Sequence, residues 1–274
     1  MAKFTRRERM RQEVLEGKPV SAFEIIDCHG HLGYWSAFSM PWRTGADMVR
    51  ALDITGVRCC VASAHAGISS DYRLGNDQMI QAMRDFPGRL LGYCSVNPNY
   101  PVEETEAELK RCWRAGMVGI KLHPGMHRQR ADSEGYRPAW EFAQKHGLCV
   151  LAHSGATDAY CGISVFEGPA RDYPKAKILL GHAGFGYDGA QRSCDLAAKY
   201  PNVFLDITIS AAYRGLIERM VDGAGADRVL YGTDLPFMDS RPMVGRLAFS
   251  DLDDKQLEMV LGGNARRLFG IRDD

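Results

Sequence analysis

Eight short apolar runs, whose starts lie about 26 to 34 residues apart, constrain this chain more than any other feature. They are FEIID (23–27), VRCCVASA (57–64), RLLGYCSV (89–96), MVGIKL (117–122), LCVLA (148–152), AKILLG (176–181), NVFLDITI (202–209) and RVLYG (228–232). Each has strand length, is rich in Val, Ile, Leu and Tyr and alternates weakly, as strands buried on both faces of a parallel sheet do. The spacing leaves room for one crossover helix per strand. The intervening segments carry the helical period: VEETEAELKRCWRAG opens on acidic side chains and closes at Gly116, and NDQMIQAMRDF, YRPAWEFAQKHG and AQRSCDLAAKY are similar. Eight strand-helix units in 274 residues predict an α/β fold, a single (β/α)8 TIM barrel, in preference to an open doubly wound sheet. No linker or composition break divides the chain. The expected organisation is an N-terminal extension over 1–20, read as a charged helix, followed by one barrel domain over 21–274.

Composition narrows the function classes. Basic and acidic residues balance at 34 each, so net charge gives no reason to expect nucleic acid or an anionic membrane as partner. No apolar run approaches the roughly 20 residues of a membrane span, and the basic N-terminus lacks the apolar block of a secretory signal. The eight cysteines are scattered without zinc-motif spacing, which favours a reduced, cytoplasmic location. A small-molecule substrate is the expected partner, and exposed apolar loops point to a homodimer.

A barrel of this kind carries its chemistry at the carboxyl ends of its strands. Strand one ends in IIDCHGHLG, where His29 and His31 stand two apart on an extended segment and can face one ion. LAHSG supplies His153, LLGHAGF supplies His182 and YGTDLPF supplies Asp234. Any one of these histidines alone reads as a hydrogen-bonded core or loop residue. Five such residues at equivalent places are hard to attribute to packing, because each uncompensated polar group would cost roughly 2 kcal/mol or more. The combination predicts a metal site.

In DCHGHLG, GIKLHP, LAHSG, GHAGF, YGTDLPF and GGNARRLFGI, taken in that order, the chain resembles the amidohydrolase superfamily. The likeness is to its amidohydrolase-related branch of small barrel hydrolases, lactonases and decarboxylases. The resemblance implies one divalent ion, Zn²⁺ by expectation, held by His29, His31, His153 and Asp234, with His182 beside the open coordination position. Superfamily members with two metals bridge them by a carboxylated lysine on strand four, and GIKLHP places Lys121 there. The competing reading keeps Lys121 as a cation that binds an anionic substrate or pairs with a buried carboxylate, with His123 nearer the rim. One ion is the favoured expectation.

A bound divalent ion lowers the pKa of its water to about 7, which favours hydrolysis. The sequence therefore predicts a hydrolase of an amide, ester or lactone, with Asp234 as base and His182 polarising the carbonyl or moving the proton. A plain alternative for Asp234 is a helix cap in TDLP. The rival function is metal-dependent decarboxylation of an aromatic or enolic acid; a third is a binding protein with a structural metal. His65, Asn97 and Arg73 are further candidates for substrate contact, though each also suits a turn or the surface. Lys121, Arg73 and Arg128 are the basic groups available to an acid substrate. His127 and His146 read as bystanders. Tyr34, Trp35, Phe38 and Trp42 could form an apolar substrate wall, a lid or a subunit contact.

Overall fold

A computed structural model describes residues 4–35, 37, 39–40, 42–209 and 213–272. Eight strands follow one another around a single sheet: β1 (Ile25–Leu32), β2 (Val57–Ala64), β3 (Leu90–Ser95), β4 (Gly119–Leu122), β5 (Cys149–His153), β6 (Lys177–Gly181), β7 (Val203–Asp206) and β8 (Val229–Leu230). Every adjacent pair is parallel. The circle closes between β1 and the segment after β8: Cys28 donates to the Tyr231 carbonyl at 3.0 Å, Asp234 to His29 at 2.7 Å and His31 to Leu235 at 2.6 Å. This is the (β/α)8 barrel that the sequence predicts.

The strands are buried on both faces, and alternate residues serve two cores. Ile26, Cys28, Cys59, Val61, Tyr93, Cys149, Leu151, Leu179, Phe204 and Leu230 fill the barrel interior, floored by Leu268 and Phe269 of the C-terminal helix. Their neighbours Ile25, Cys60, Val150, Ile178, Leu180, Val203 and Leu205 face outward to the helices. Tyr93 crosses the interior to donate to the Cys28 carbonyl at 2.7 Å.

The predicted helices form, with capping signals where expected. Tyr72–Asp85 is capped by Asp71, whose carboxylate accepts from Arg73 and Leu74, and Arg137–His146 ends on Gly147 in the left-handed region. The N-terminal helix Arg6–Leu15 has a Thr5/Glu8 capping box and buries Met10. Arg7 donates to the Leu252 carbonyl and Arg11 to the Ala248 carbonyl, pinning that helix to the C-terminal part of the ring. All eight cysteines are free and buried. Among the described residues, no helix is long and apolar enough to cross a membrane.

Candidate active site

The inward phase of the strands continues to the rim and decides which side chains meet there. On β5 the inward series Cys149, Leu151 ends in His153; on β7 Phe204 leads to Asp206; on β4 Lys121 points in because Ile120 points out. β1 departs from strict alternation. Asp27 pairs with Cys60 and Gly30 with Ala62, so β1 spends an extra residue in a bulge, which turns His29 and His31 inward above Cys28. His182 reaches the mouth by a left-handed turn: His182, Ala183 and Phe185 have φ of 65°, 43° and 61°, and Asp234 has φ of 64°. Non-glycine residues held there store strain, and such strain collects at functional sites.

These elements enclose a cavity of about 430 Å³, lined by His31, Trp35, Ile68, Lys121, His123, His153, His182, Phe185, Asp234, Phe237 and Met238. His31 Nε2 lies 3.1 Å from Asp234 Oδ1 and His29 Nε2 lies 3.5 Å from the same oxygen. Ligating atoms of His29, His182 and Asp234 all fall within 4.8 Å of one another. Lys121 Nζ is 3.0 Å from His29 Nε2, and the residue is only 1 % exposed.

Hydrogen bonds assign the ring tautomers. His29 Nδ1 meets Asp206 Oδ2 at 2.7 Å, so the proton sits on Nδ1 and Nε2 offers its lone pair. His182 Nδ1 meets the Thr208 carbonyl at 3.2 Å and therefore donates. Its Nε2 then accepts from His153 Nδ1 at 3.1 Å, leaving the His153 Nε2 lone pair available. Burial holds the imidazoles neutral: His29 and His31 fall well below the usual value, His153 to about 4 and His182 to about 3. Burial also lowers the Lys121 ammonium to about 8, against the opposing pull of Asp234 and Asp206. Burial works to raise Asp234, but attraction to charge around it, the Lys121 ammonium included, outweighs burial and holds the carboxyl below its usual value.

Neutral imidazoles with oriented lone pairs and one ionised carboxylate are the donor types a divalent ion takes, so the residues fit one. His123 stacks on His153 at 4.2 Å, and its Nδ1 accepts from the Met126 amide at 3.4 Å. His65 stacks on His31 at 4.8 Å, beside Trp35 and Phe237. Arg73 and Asn97 do not reach the cavity. Arg73 pairs with Glu104 at 2.6 Å on the outer helices, and Asn97 accepts from the Asn99 amide at 3.0 Å within a turn. His127 bonds Tyr136 at 2.6 Å and His146 packs on Trp113, and neither lines the cavity. Trp42 lines a separate apolar cleft of about 330 Å³ behind Leu235–Met238, Tyr34 is exposed under Arg43, and Phe38 lies outside the described residues.

Three residues of the site went unmarked in the sequence. Asp206 is fully buried and, besides holding His29, accepts from the His182 and Thr208 amides at 3.2 and 2.7 Å. Asp27 accepts from Thr233 Oγ1 at 2.5 Å and from the His29 amide at 3.0 Å, tying β1 to the segment that carries Asp234. Ser63 meets His31 Nδ1 at 3.1 Å. The inward parity of NVFLDITI was the signal that could have found Asp206.

Comparison with known proteins adds three relatives. The chain is 24% identical to gamma-resorcylate decarboxylase of Polaromonas sp. (strain JS666 / ATCC BAA-500), over 82% of this chain and 83% of that one. The structure of a 2,6-dihydroxybenzoate decarboxylase in complex with 2,6-dihydroxybenzoate superposes with a TM-score of 0.73 at 18% identity, covering 91% of this chain and 99% of the other. That of dihydroxybenzoic acid decarboxylase from Polaromonas sp. JS666, with bound manganese and the inhibitor 2-nitroresorcinol, gives 0.73 at 20% identity, covering 92% and 98%. These relatives break a carbon–carbon bond, and they overturn the hydrolysis of an amide, ester or lactone expected from sequence; the decarboxylase alternative is the better supported. The family model described as Amidohydrolase matches residues 26–271, so the chain belongs to the amidohydrolase family.

Proposed function

We propose that this chain is a metal-dependent decarboxylase of a small hydroxylated aromatic acid. The observation that carries the reading is the pairing, in one cavity, of a buried cation with flat apolar walls. Lys121 lies beside the imidazole and carboxylate cluster, while Trp35, Phe185 and Phe237 supply surfaces for a ring. The similarity to decarboxylases of dihydroxybenzoic acids supports the same choice.

In this reading His29, His31, His153 and Asp234 hold one divalent ion, with His182 beside it. Manganese is the first ion to load, because one of the similar decarboxylases contains it; the nitrogen-rich donor set also suits zinc. When bound, the ion supplies positive charge to the carboxylate and to a neighbouring oxygen of the acid. Lys121, unmodified, is the second cation for that carboxylate, and His123 and His65 complete the substrate contacts. Asp234 takes the proton of a ring hydroxyl and hands it to the ring carbon bearing the carboxylate. The carbon–carbon bond then breaks, its electron pair returns to the ring, carbon dioxide leaves, and solvent reprotonates the phenolate. His182 relays the proton from solvent to the phenolate. The aromatic walls exclude water from the ring during protonation.

The test is carbon dioxide release from 2,6-dihydroxybenzoate and other hydroxybenzoates by manganese-loaded and zinc-loaded protein. Release should occur and should fall by roughly 10³-fold or more in Asp234→Asn with the fold retained. Lack of release from every such acid by the metal-loaded protein would reject the proposal.

A further inference from the structure

The walls of the active-site cavity divide by strand. On one side stand Trp35 after β1, Ile68 after β2, and Phe237 and Met238 after β8, none of them charged. On the other stand Lys121 of β4, His123 just beyond it, His153 at the end of β5 and His182 after β6. β1 and β5 are diametrically opposite in a ring of eight strands, so the apolar and polar walls face each other across the mouth. Trp35 and Phe237 meet edge to face at 5.4 Å and Ile68 is buried, which makes the apolar wall a packed surface. Positive charge is confined to the polar wall. Among the described residues that line the cavity, Lys121 is the one cationic side chain, and no arginine joins it. Its Nζ stands 3.0 Å from His29 Nε2, so the ammonium and an ion held by His29 share one end of the cavity. His123 Nδ1 accepts from the Met126 amide and His182 Nε2 accepts from His153, so both rings are neutral in this arrangement. Phe185 stacks over His182 and adds no charge.

A carboxylate therefore finds cationic partners at one end of the cavity and none at the other. An acid seated with its carboxylate at Lys121 extends its ring toward Trp35, Ile68, Phe237 and Met238. An apolar substituent at the remote end of that ring gains by leaving water against them. A second carboxylate there would lose its hydration with no cation or donor in return. We infer that the cavity selects a monocarboxylic acid whose ring carries an apolar substituent at the end remote from the carboxylate, and rejects the corresponding diacid. This inference rests on the hydroxyaromatic-acid reading and adds to it the charge and the shape of the acid. Discrimination of this kind comes as much from the penalty on the diacid as from contacts to the accepted acid.

The experiment is calorimetric binding of unreactive acids without a ring hydroxyl to the manganese-loaded protein: benzoate, 4-isopropylbenzoate and terephthalate. The isopropyl and carboxylate groups have the same branched shape, so the last pair differ in charge rather than size. Relative to benzoate, 4-isopropylbenzoate should bind about ten-fold or more tighter, because its added carbons leave water. Terephthalate should bind about thirty-fold or more weaker than benzoate. Met238→Lys, which sets a cation of similar length in the apolar wall, should tighten terephthalate by about ten-fold or more and weaken 4-isopropylbenzoate. Equal affinities for the shape-matched pair, tighter binding of terephthalate, or failure of all the acids to bind the wild-type protein would overturn the inference. A folded Met238→Lys that changes neither affinity would overturn it as well, and the wild-type series decides alone if that variant does not fold. Carbon dioxide release from hydroxybenzoates alongside equal affinities removes only the preference for an apolar monoacid. Absence of release and of binding removes the decarboxylase reading together with it.

Discussion

Asp206 lies 177 residues from His29 in the chain, yet its carboxylate fixes that ring at 2.7 Å while also receiving the His182 amide. A carboxylate behind an imidazole sets the tautomer and raises the basicity of the nitrogen that faces a metal. Asp206→Asn keeps the size and loses the charge. Manganese affinity, measured by titration calorimetry, should fall about ten- to a hundred-fold with the circular dichroism spectrum unchanged. Unchanged affinity would show that His29 is oriented by packing alone. His29, His31, His153, His182 and Asp234 were legible in the sequence because each follows a strand-length apolar run. Arg73 and Asn97 were not separable from true cavity residues, since their fates depend on Glu104 and Asn99 and on which side of a loop faces inward.

The elements around the mouth make room for one another by leaving out side chains. The inward position after β8 is Gly232, where an added Cβ would stand 2.5 Å from Thr208 Oγ1 and 3.0 Å from His29 Cβ. That gap leaves room for the His29 Cβ and the Thr208 hydroxyl. Gly232→Ala should therefore act twice: it should destabilise the fold by about 1–3 kcal/mol in urea titration, as overpacking does, and weaken manganese binding by displacing His29. A stability loss without any change in metal affinity would place the clash on Thr208 only. Element lengths and caps followed from local sequence, but the bulge in β1 did not. HGH keeps its period of two on either register, and only pairing with β2 shows that Asp27 to Gly30 spans one residue too many.

At the scale of the whole barrel, the end opposite the site is joined by Glu24, which receives Arg58 of β2 at 2.6 Å and Arg266 of the C-terminal helix at 2.9 Å. Burial tends to raise the Glu24 carboxyl, and the two guanidinium groups outweigh it and hold it below the usual range. A carboxylate with a depressed folded-state pKa stabilises above its unfolded value of about 4.3 and loses that contribution as the pH falls through the folded value. Glu24→Gln should thus cost about 1 kcal/mol at pH 7, allowing for partial solvent screening, and the two proteins should converge in acid. Urea midpoints measured from neutral pH down into the acid range test this; a gap that persists in acid would assign the loss to packing. By itself, the sequence determined the eight-unit alternation, and with it the closed barrel, because burial on both faces and a crossover helix are properties of short stretches. It also determined that imidazoles and a carboxylate follow those strands. Only the tertiary structure decided which of them share a cavity, which nitrogen each presents, and that Asp206 and Asp27 stand behind them. Those outcomes depend on strand register, barrel closure and hydrogen bonds between residues remote in the chain, none of which a local pattern encodes.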